Sequence, residues 1–134
     1  MARKIEAYLD TSAFIAFLDR SDSYHALYRR LFASPLSLLT SALVIAEGHG
    51  WFLRRYDQNR AIQFLNFVRE FSPLEIQPFG RDELIESTTL VRKFADQSLT
   101  MADAHGLVVI REHGIKTCWS TDRHLSLTGA QLAD

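Results

Sequence analysis

The sequence predicts an α/β fold, a central parallel β-sheet flanked by helices on both faces, and three observations predict it. Short apolar runs alternate with stretches of helical periodicity from end to end, with no repeat, linker or low-complexity segment between them. The first run, 5–9, stops at Asp10 and gives way to Thr11-Ser12 and a second apolar run, the pattern of a strand, a carboxylate at its C-terminal tip and a helix start. The length of 134 residues suits one core, so a single domain over 1–134 is expected.

The elements follow in order. After the strand over 5–9, a short helix is expected over 12–19. Ser21 or Asp22 can cap a second helix, in which Tyr24, Leu27, Tyr28, Leu31 and Phe32 repeat at i, i+3, i+4, i+7 and i+8 as one buried face. Pro35 ends it. Residues 36–40 read as the second strand, and Thr40-Ser41 open a helix that runs through Glu47 to about 55. Gly48 and Gly50 each cost roughly 1 kcal/mol relative to Ala inside a helix, so either close packing or a break is expected there. Asp57 or Asn59 caps the next helix, whose buried side is Ile62, Leu65, Phe67, Val68 and Phe71, and Ser72-Pro73 stops it. Leu74-Glu75-Ile76 alternates as a short strand. Gly80-Arg81-Asp82 starts a helix to about 94 with Leu84, Ile85, Leu90, Val91 and Phe94 inward, and 96–98 form a loop. Thr100 caps a helix over 101–113 that Gly114 closes; 115–119 is the next strand, Ser120-Thr121-Asp122 its exit, and the tail over 125–132 adds a short edge strand.

Composition sets the class. The apolar fraction is 47% and the charged fraction 23%, usual for a soluble globular protein. The basic start, Met1-Ala2-Arg3-Lys4, resembles no signal peptide, because Glu6 and Asp10 break the apolar run behind it. No run reaches the roughly 18 apolar residues of a membrane span, and a cytoplasmic protein is expected. Cys118 is the lone cysteine, which excludes an internal disulfide and a Cys-rich zinc site and suits a small core residue. A net charge of −1 argues against a sequence-independent DNA coat, but not against a nuclease with a negative site rimmed by local cations.

Four acids hold special places. Asp10 follows the first strand, Glu47 lies two turns into the helix after the second, Asp103 sits in the first turn of the helix from Thr100, and Asp122 follows the last clear strand. In a right-handed parallel sheet, strand exits and the starts of the following helices share one edge, where such folds collect ligands. Each acid also has a plainer reading: Asp10 as a helix cap, Asp103 as a partner of a helix dipole, Asp122 as a turn residue, Glu47 as exposed by the glycines after it. If the acids converge, they repel one another unless a cation sits among them. An all-oxygen ligand set points to Mg²⁺ or Mn²⁺. Ser12, Thr100, Ser120 and Thr121 surround the acids and could orient water or phosphate oxygens.

At these positions L-D-T-S-A-F (9–14), Ala46-Glu47, L-T-M-A-D-A (99–104) and S-T-D-R-H-L (120–125) the chain resembles the four signature segments of PIN domains, most closely the small VapC-like toxins of toxin–antitoxin pairs. The resemblance runs over nearly the whole chain and implies a single PIN-like domain. It further implies a Mg²⁺- or Mn²⁺-dependent endoribonuclease with Asp10, Glu47, Asp103 and Asp122 as its acidic, metal-binding quartet. Ser12 and Thr100 fall on the family's hydroxyl positions, and Asp96 on a further acid that many members keep. An RNA substrate, a homodimer and a cognate antitoxin are the implied partners. Gly48-His49-Gly50 departs from the pattern and leaves the course of that helix open. Arg20, Arg123 and His124 are the nearest candidates for gripping an RNA backbone.

Competing motifs are missing: there is no G-x-x-x-x-G-K-[ST] loop, no G-x-S-x-G elbow and no H-E-x-x-H pair among the five histidines. His105 is expected to be structural or on the surface. The alternative from another class is a non-catalytic PIN-like interaction module whose acidic pocket docks a basic partner peptide. The aromatic residues Trp51, Phe52, Tyr56, Phe64, Phe67 and Phe71 could form a dimer surface or simply a core.

Overall fold

A computed structural model describes residues 4–127 and 129–133, and of Arg123 the backbone alone. Five strands, β1 (Ala7–Leu9), β2 (Leu38–Ser41), β3 (Leu74–Gln77), β4 (Thr117–Trp119) and β5 (Gln131–Leu132), form one parallel sheet in the order β3-β2-β1-β4-β5. Six α-helices surround it: α1 (Thr11–Leu18), α2 (His25–Phe32), α3 (Ala42–Arg55), α4 (Gln58–Glu70), α5 (Arg81–Lys93) and α6 (Met101–Glu112). Ala7, Tyr8 and Leu9 are all buried, because β1 lies in mid-sheet and is covered on both faces. Its register sets Leu9 beside Trp119 of β4, so that Asp10 and Ser120 leave the sheet side by side. Chain order reverses at β1, and the crevice of such a sheet opens there.

The caps show why the helices begin where they do. Ser41 accepts the Val44 N–H through its hydroxyl at 3.3 Å, Asp57 accepts that of Arg60 at 2.9 Å, and Gly114 takes the left-handed φ of 60° after α6. The second helix differs from expectation. Asp22 is spent on a turn, accepting the Tyr24 N–H at 2.8 Å, so the α-helix starts only at His25 and Tyr24 is exposed rather than buried. Residues 95–97 form one 3₁₀ turn where a loop is expected, and Ser98 follows in the left-handed region at φ 54°.

Two helical faces also differ from the periodic reading. Ile62 and Leu65 of α4 are exposed, and the buried side is Ala61, Phe64 and Val68. The cause is Gly48: α3 is unbroken there, and a Cβ at that position would stand 2.5 Å from Cζ of Phe64, so the missing side chain lets the Phe64 ring seat against the α3 backbone. On α5, Leu84 and Ile85 are exposed, since this outer helix turns Ser87 and Leu90 inward. The aromatics over 51–71 are mainly core: Phe52 and Phe64 are buried, while Phe67 and Phe71 join Phe17 and Phe32 in ring contacts of 4.3 to 5.8 Å. Cys118 is buried, as expected. So is His105, its ring edge-on to Phe79 at 4.9 Å.

Candidate active site

Asp10 is the N-cap of α1, and its backbone N–H donates to the Trp119 carbonyl at 3.0 Å, which locks the β1 and β4 exits together. The Thr40 hydroxyl donates to the Leu9 carbonyl at 2.7 Å and ties in the β2 exit from the other side. Asp10 Oδ2 accepts hydrogen bonds from Ser120 Oγ at 3.0 Å and Ser12 Oγ at 3.3 Å. Ser120 Oγ also accepts the Asp122 N–H at 2.8 Å, and Ser12 Oγ the Thr121 N–H at 3.0 Å. The two serines thus hold the exit of β4 against the start of α1.

Asp103 and Thr100 form a reciprocal cap at the head of α6. The Thr100 hydroxyl accepts the Asp103 N–H at 3.1 Å, and the Asp103 carboxylate accepts the Thr100 N–H at 3.2 Å. Glu47 reaches across from α3, and its carboxylate accepts a hydrogen bond from the Thr11 hydroxyl. Asp122 accepts the His124 N–H at 2.9 Å. All four acids, Asp10, Glu47, Asp103 and Asp122, line one cleft of about 360 Å³ together with Thr11, Ser12, Ile15, Trp51, Arg54 and Thr100.

Burial pushes the Asp10 carboxyl up to about 6; the hydrogen bonds from Thr11 and Ser120 oppose this, and the charges of Asp103 and Glu47 add to it. No Lys or Arg forms an ion pair with these acids among the described residues. The cluster is therefore short of positive charge. His124 Nδ1 stands 3.1 Å from Asp122 Oδ1 and 3.8 Å from Asp103 Oδ2, yet it is buried and lacks hydrogen-bond geometry to either. Asp103, Asp122 and His124 each offer one ligand atom within 4.8 Å of the others, so this corner fits a cation.

Several expected site residues stand elsewhere. Asp96 is exposed on its 3₁₀ turn, where it accepts from Gln97 Nε2 at 3.3 Å, and does not line the cleft. Thr121 takes part through its backbone. Arg20 lines a separate cleft with Phe17, Leu18, His25 and Arg29, and the side chain of Arg123 lies outside the described residues. His124, a sequence-level candidate for gripping an RNA backbone, stands instead with its Nδ1 beside Asp103 and Asp122. Overlooked are Thr11, whose place directly after the strand-end acid is the available signal, and Trp51 with Arg54, which follow Glu47 at helical spacing.

A parallel sheet with a carboxylate-lined cleft at its switch point is the build of an α/β protein that takes its ligand at that crevice. The PIN domain family model matches residues 7–130, and the chain belongs to that family. Solved structures share the fold. One is VapC20 from Mycobacterium tuberculosis, described as a sarcin-ricin loop cleaving toxin, with 21% identity, TM-score 0.85, and 93% of this chain and 96% of that one covered. Another is FitAcB from Neisseria gonorrhoeae, with 15% identity, TM-score 0.68 and 96% of each chain covered. A third is the DNA-bound VapBC of Salmonella typhimurium, with 13% identity, TM-score 0.67, and 97% of this chain and 98% of that one covered. No curated protein matches the chain. No helix among the described residues is long and apolar enough to cross a membrane.

Proposed function

We propose that this protein, as a single PIN-like domain over 1–134, is a Mg²⁺- or Mn²⁺-dependent endoribonuclease and the toxin of a toxin–antitoxin pair. The observation that carries this reading is the convergence of Asp10, Glu47, Asp103 and Asp122 from four separate elements on one cleft. Family membership and the toxins and toxin–antitoxin complexes among the structural neighbours support it. An antitoxin partner accords with those neighbours; the proposal adds a cytoplasmic homodimer, for which Ile76, Leu84 and Ile85 offer exposed apolar surface.

The reaction is hydrolysis of an RNA phosphodiester: water attacks phosphorus and the 3′ oxygen leaves. Asp10 and Asp103 would hold the ion, with Glu47 and Asp122 directly or through water; of these, Asp103 and Asp122 already stand with His124 Nδ1 within 4.8 Å of one another, a nitrogen donor that favours Mn²⁺ over Mg²⁺. When bound, the ion would neutralise the facing carboxylates, lower the pKa of water and offset charge on the phosphate. The hydroxyls of Ser12 and Ser120 orient the carboxylate of Asp10, the Thr100 backbone N–H that of Asp103 and the Thr11 hydroxyl that of Glu47, so the site is preorganised.

Purified protein freed of any co-purifying partner is expected to cut total cellular RNA into discrete fragments with Mg²⁺ or Mn²⁺ and to leave it intact with chelator. Absence of cleavage with either metal, from folded protein that also binds a basic peptide in its acidic cleft, would instead establish the docking module. Metal uptake carries its own signature. Below about pH 6 an ion must displace the Asp10 proton, so Mn²⁺ affinity measured by calorimetry is expected to be level above that pH and to fall about tenfold per pH unit below it. Affinity that does not change down to about pH 4.5 would remove Asp10 from the ligand set.

A further inference from the structure

We propose that Trp51 and Arg54 form a subsite for an unpaired nucleotide beside the acids, with the base stacked on the Trp51 indole and the adjoining phosphate held by the Arg54 guanidinium. The proposal rests on the reading of the protein as an RNA-cutting enzyme and names the form of RNA it takes.

Trp51 and Arg54 follow Glu47 at i+4 and i+7 on α3, so the three lie on one helical face, and all three line the cleft. From Glu47 to Arg54 the rise of 1.5 Å per residue gives about 10 Å along the helix. The stripe therefore leads away from Glu47 along the cleft wall.

Gly50 explains how Arg54 is aimed. A Cβ at Gly50 would lie 3.0 Å from one terminal guanidinium nitrogen and 3.8 Å from Cζ of Arg54. The guanidinium is thus laid back over Gly50, in space that a side chain would fill. Among the described residues Arg54 forms no ion pair, although it borders a cleft of carboxylates. A permanently charged, planar donor left without an acid is suited to a phosphate. The other residues lining the cleft are acidic, hydroxylic or apolar, so Arg54 supplies the attraction that a polyanion needs there.

Trp51 is half-buried, and its plane is fixed by edge-on contacts with Phe52 at 5.0 Å and Tyr56 at 6.2 Å. Tyr56 is itself held, its hydroxyl donating to Asp19 Oδ2 at 2.9 Å and its ring covered by the Arg60 guanidinium at 4.3 Å. A rigid indole on a cleft wall is a stacking platform that accepts any base with a free π-face. Bases inside a duplex have none to offer, so the subsite takes nucleotides of a loop or single strand.

The test uses a single-stranded RNA hexamer and the same hexamer with abasic residues, titrated with Ca²⁺ so that binding is read apart from cleavage. Trp119 is 1% exposed, so quenching of tryptophan fluorescence reports on Trp51. Base-bearing RNA is expected to quench and the abasic strand not to. Read by the anisotropy of a labelled strand, because these variants lack the reporting indole, Trp51→Leu is expected to weaken the hexamer about tenfold or more with little effect on the abasic strand, and Trp51→Phe to recover most of the loss. Arg54→Ala is expected to weaken both strands and to lower the salt slope of binding by about 0.7. RNA bound without quenching by the wild type, or bound as well by Trp51→Leu and Arg54→Ala as by the wild type, overturns the subsite. If wild-type protein then still cuts RNA with Mn²⁺, only the subsite falls; if RNA is neither bound nor cut, the nuclease reading falls with it.

Discussion

Asp10→Asn is expected to lower metal-dependent RNA cleavage by on the order of 10³-fold, and in the same protein without metal to raise stability at neutral pH. The two effects share one cause. Asp10 is buried at the exit of the central strand with Asp103 and Glu47 facing it, and its carboxyl is raised from 3.8 to about 6. A group raised on folding holds its proton more tightly in the folded state. Its ionisation therefore costs nothing extra below the unfolded value, begins to destabilise as pH rises above it, and does so fully above about 6. A shift from 3.8 to about 6 corresponds to about 3 kcal/mol at neutral pH. The neutral amide still accepts from Ser120 and removes that penalty. Urea unfolding with chelator at about pH 4 and pH 7 checks it: the variant should gain at the higher pH and little at the lower. A variant less stable than wild type at neutral pH would show that the charge is already compensated. The proposed catalytic role fails separately if Asp10→Asn cuts RNA at the wild-type rate.

Gly48→Val is expected to destabilise the protein by about 3 kcal/mol. Phe64 leaves no room for the new side chain. Its ring atoms stand 2.5, 2.9 and 3.1 Å from where a Cβ would sit, and the ring cannot swing away, being stacked on Phe52 at 5.5 Å and edge-on to Phe14 at 5.7 Å. For a chain of this length such a loss lowers the melting temperature by about 10 °C. Phe64→Leu in the same protein should return part of it, because the two positions are coupled through direct contact. A Gly48→Val protein that melts with wild type would refute close packing as the reason for this glycine. Since α3 also carries Glu47, partial loss of RNA cleavage is expected to accompany the destabilisation.

The order of elements and the parallel sheet were legible because helical and strand periods alternate without interruption, and because Asp10, Ser41, Asp57 and Thr100 stand where caps belong. The faces of α4 and α5 were less legible. Ile62, Leu65, Leu84 and Ile85 have the spacing of buried residues, but an outer helix buries only the side its neighbour covers, and periodicity does not name the neighbour. Asp22 shows a different limit: one carboxylate can serve a turn or a cap, and local chemistry permits both.

What the sequence determined by itself was the type and order of the elements and the four acids at the ends or early turns of them, for these depend on residues near one another in the chain. Only the tertiary structure decided which groups meet. The pairing of Thr11 with Glu47, the bridge from Ser120 to Asp10, the place of His124 between Asp103 and Asp122, and the line of Trp51 and Arg54 along the cleft all depend on strand order and on how closely α3 and α4 approach. Those are set by packing between segments as many as 110 residues apart in the chain, and no local pattern encodes that distance.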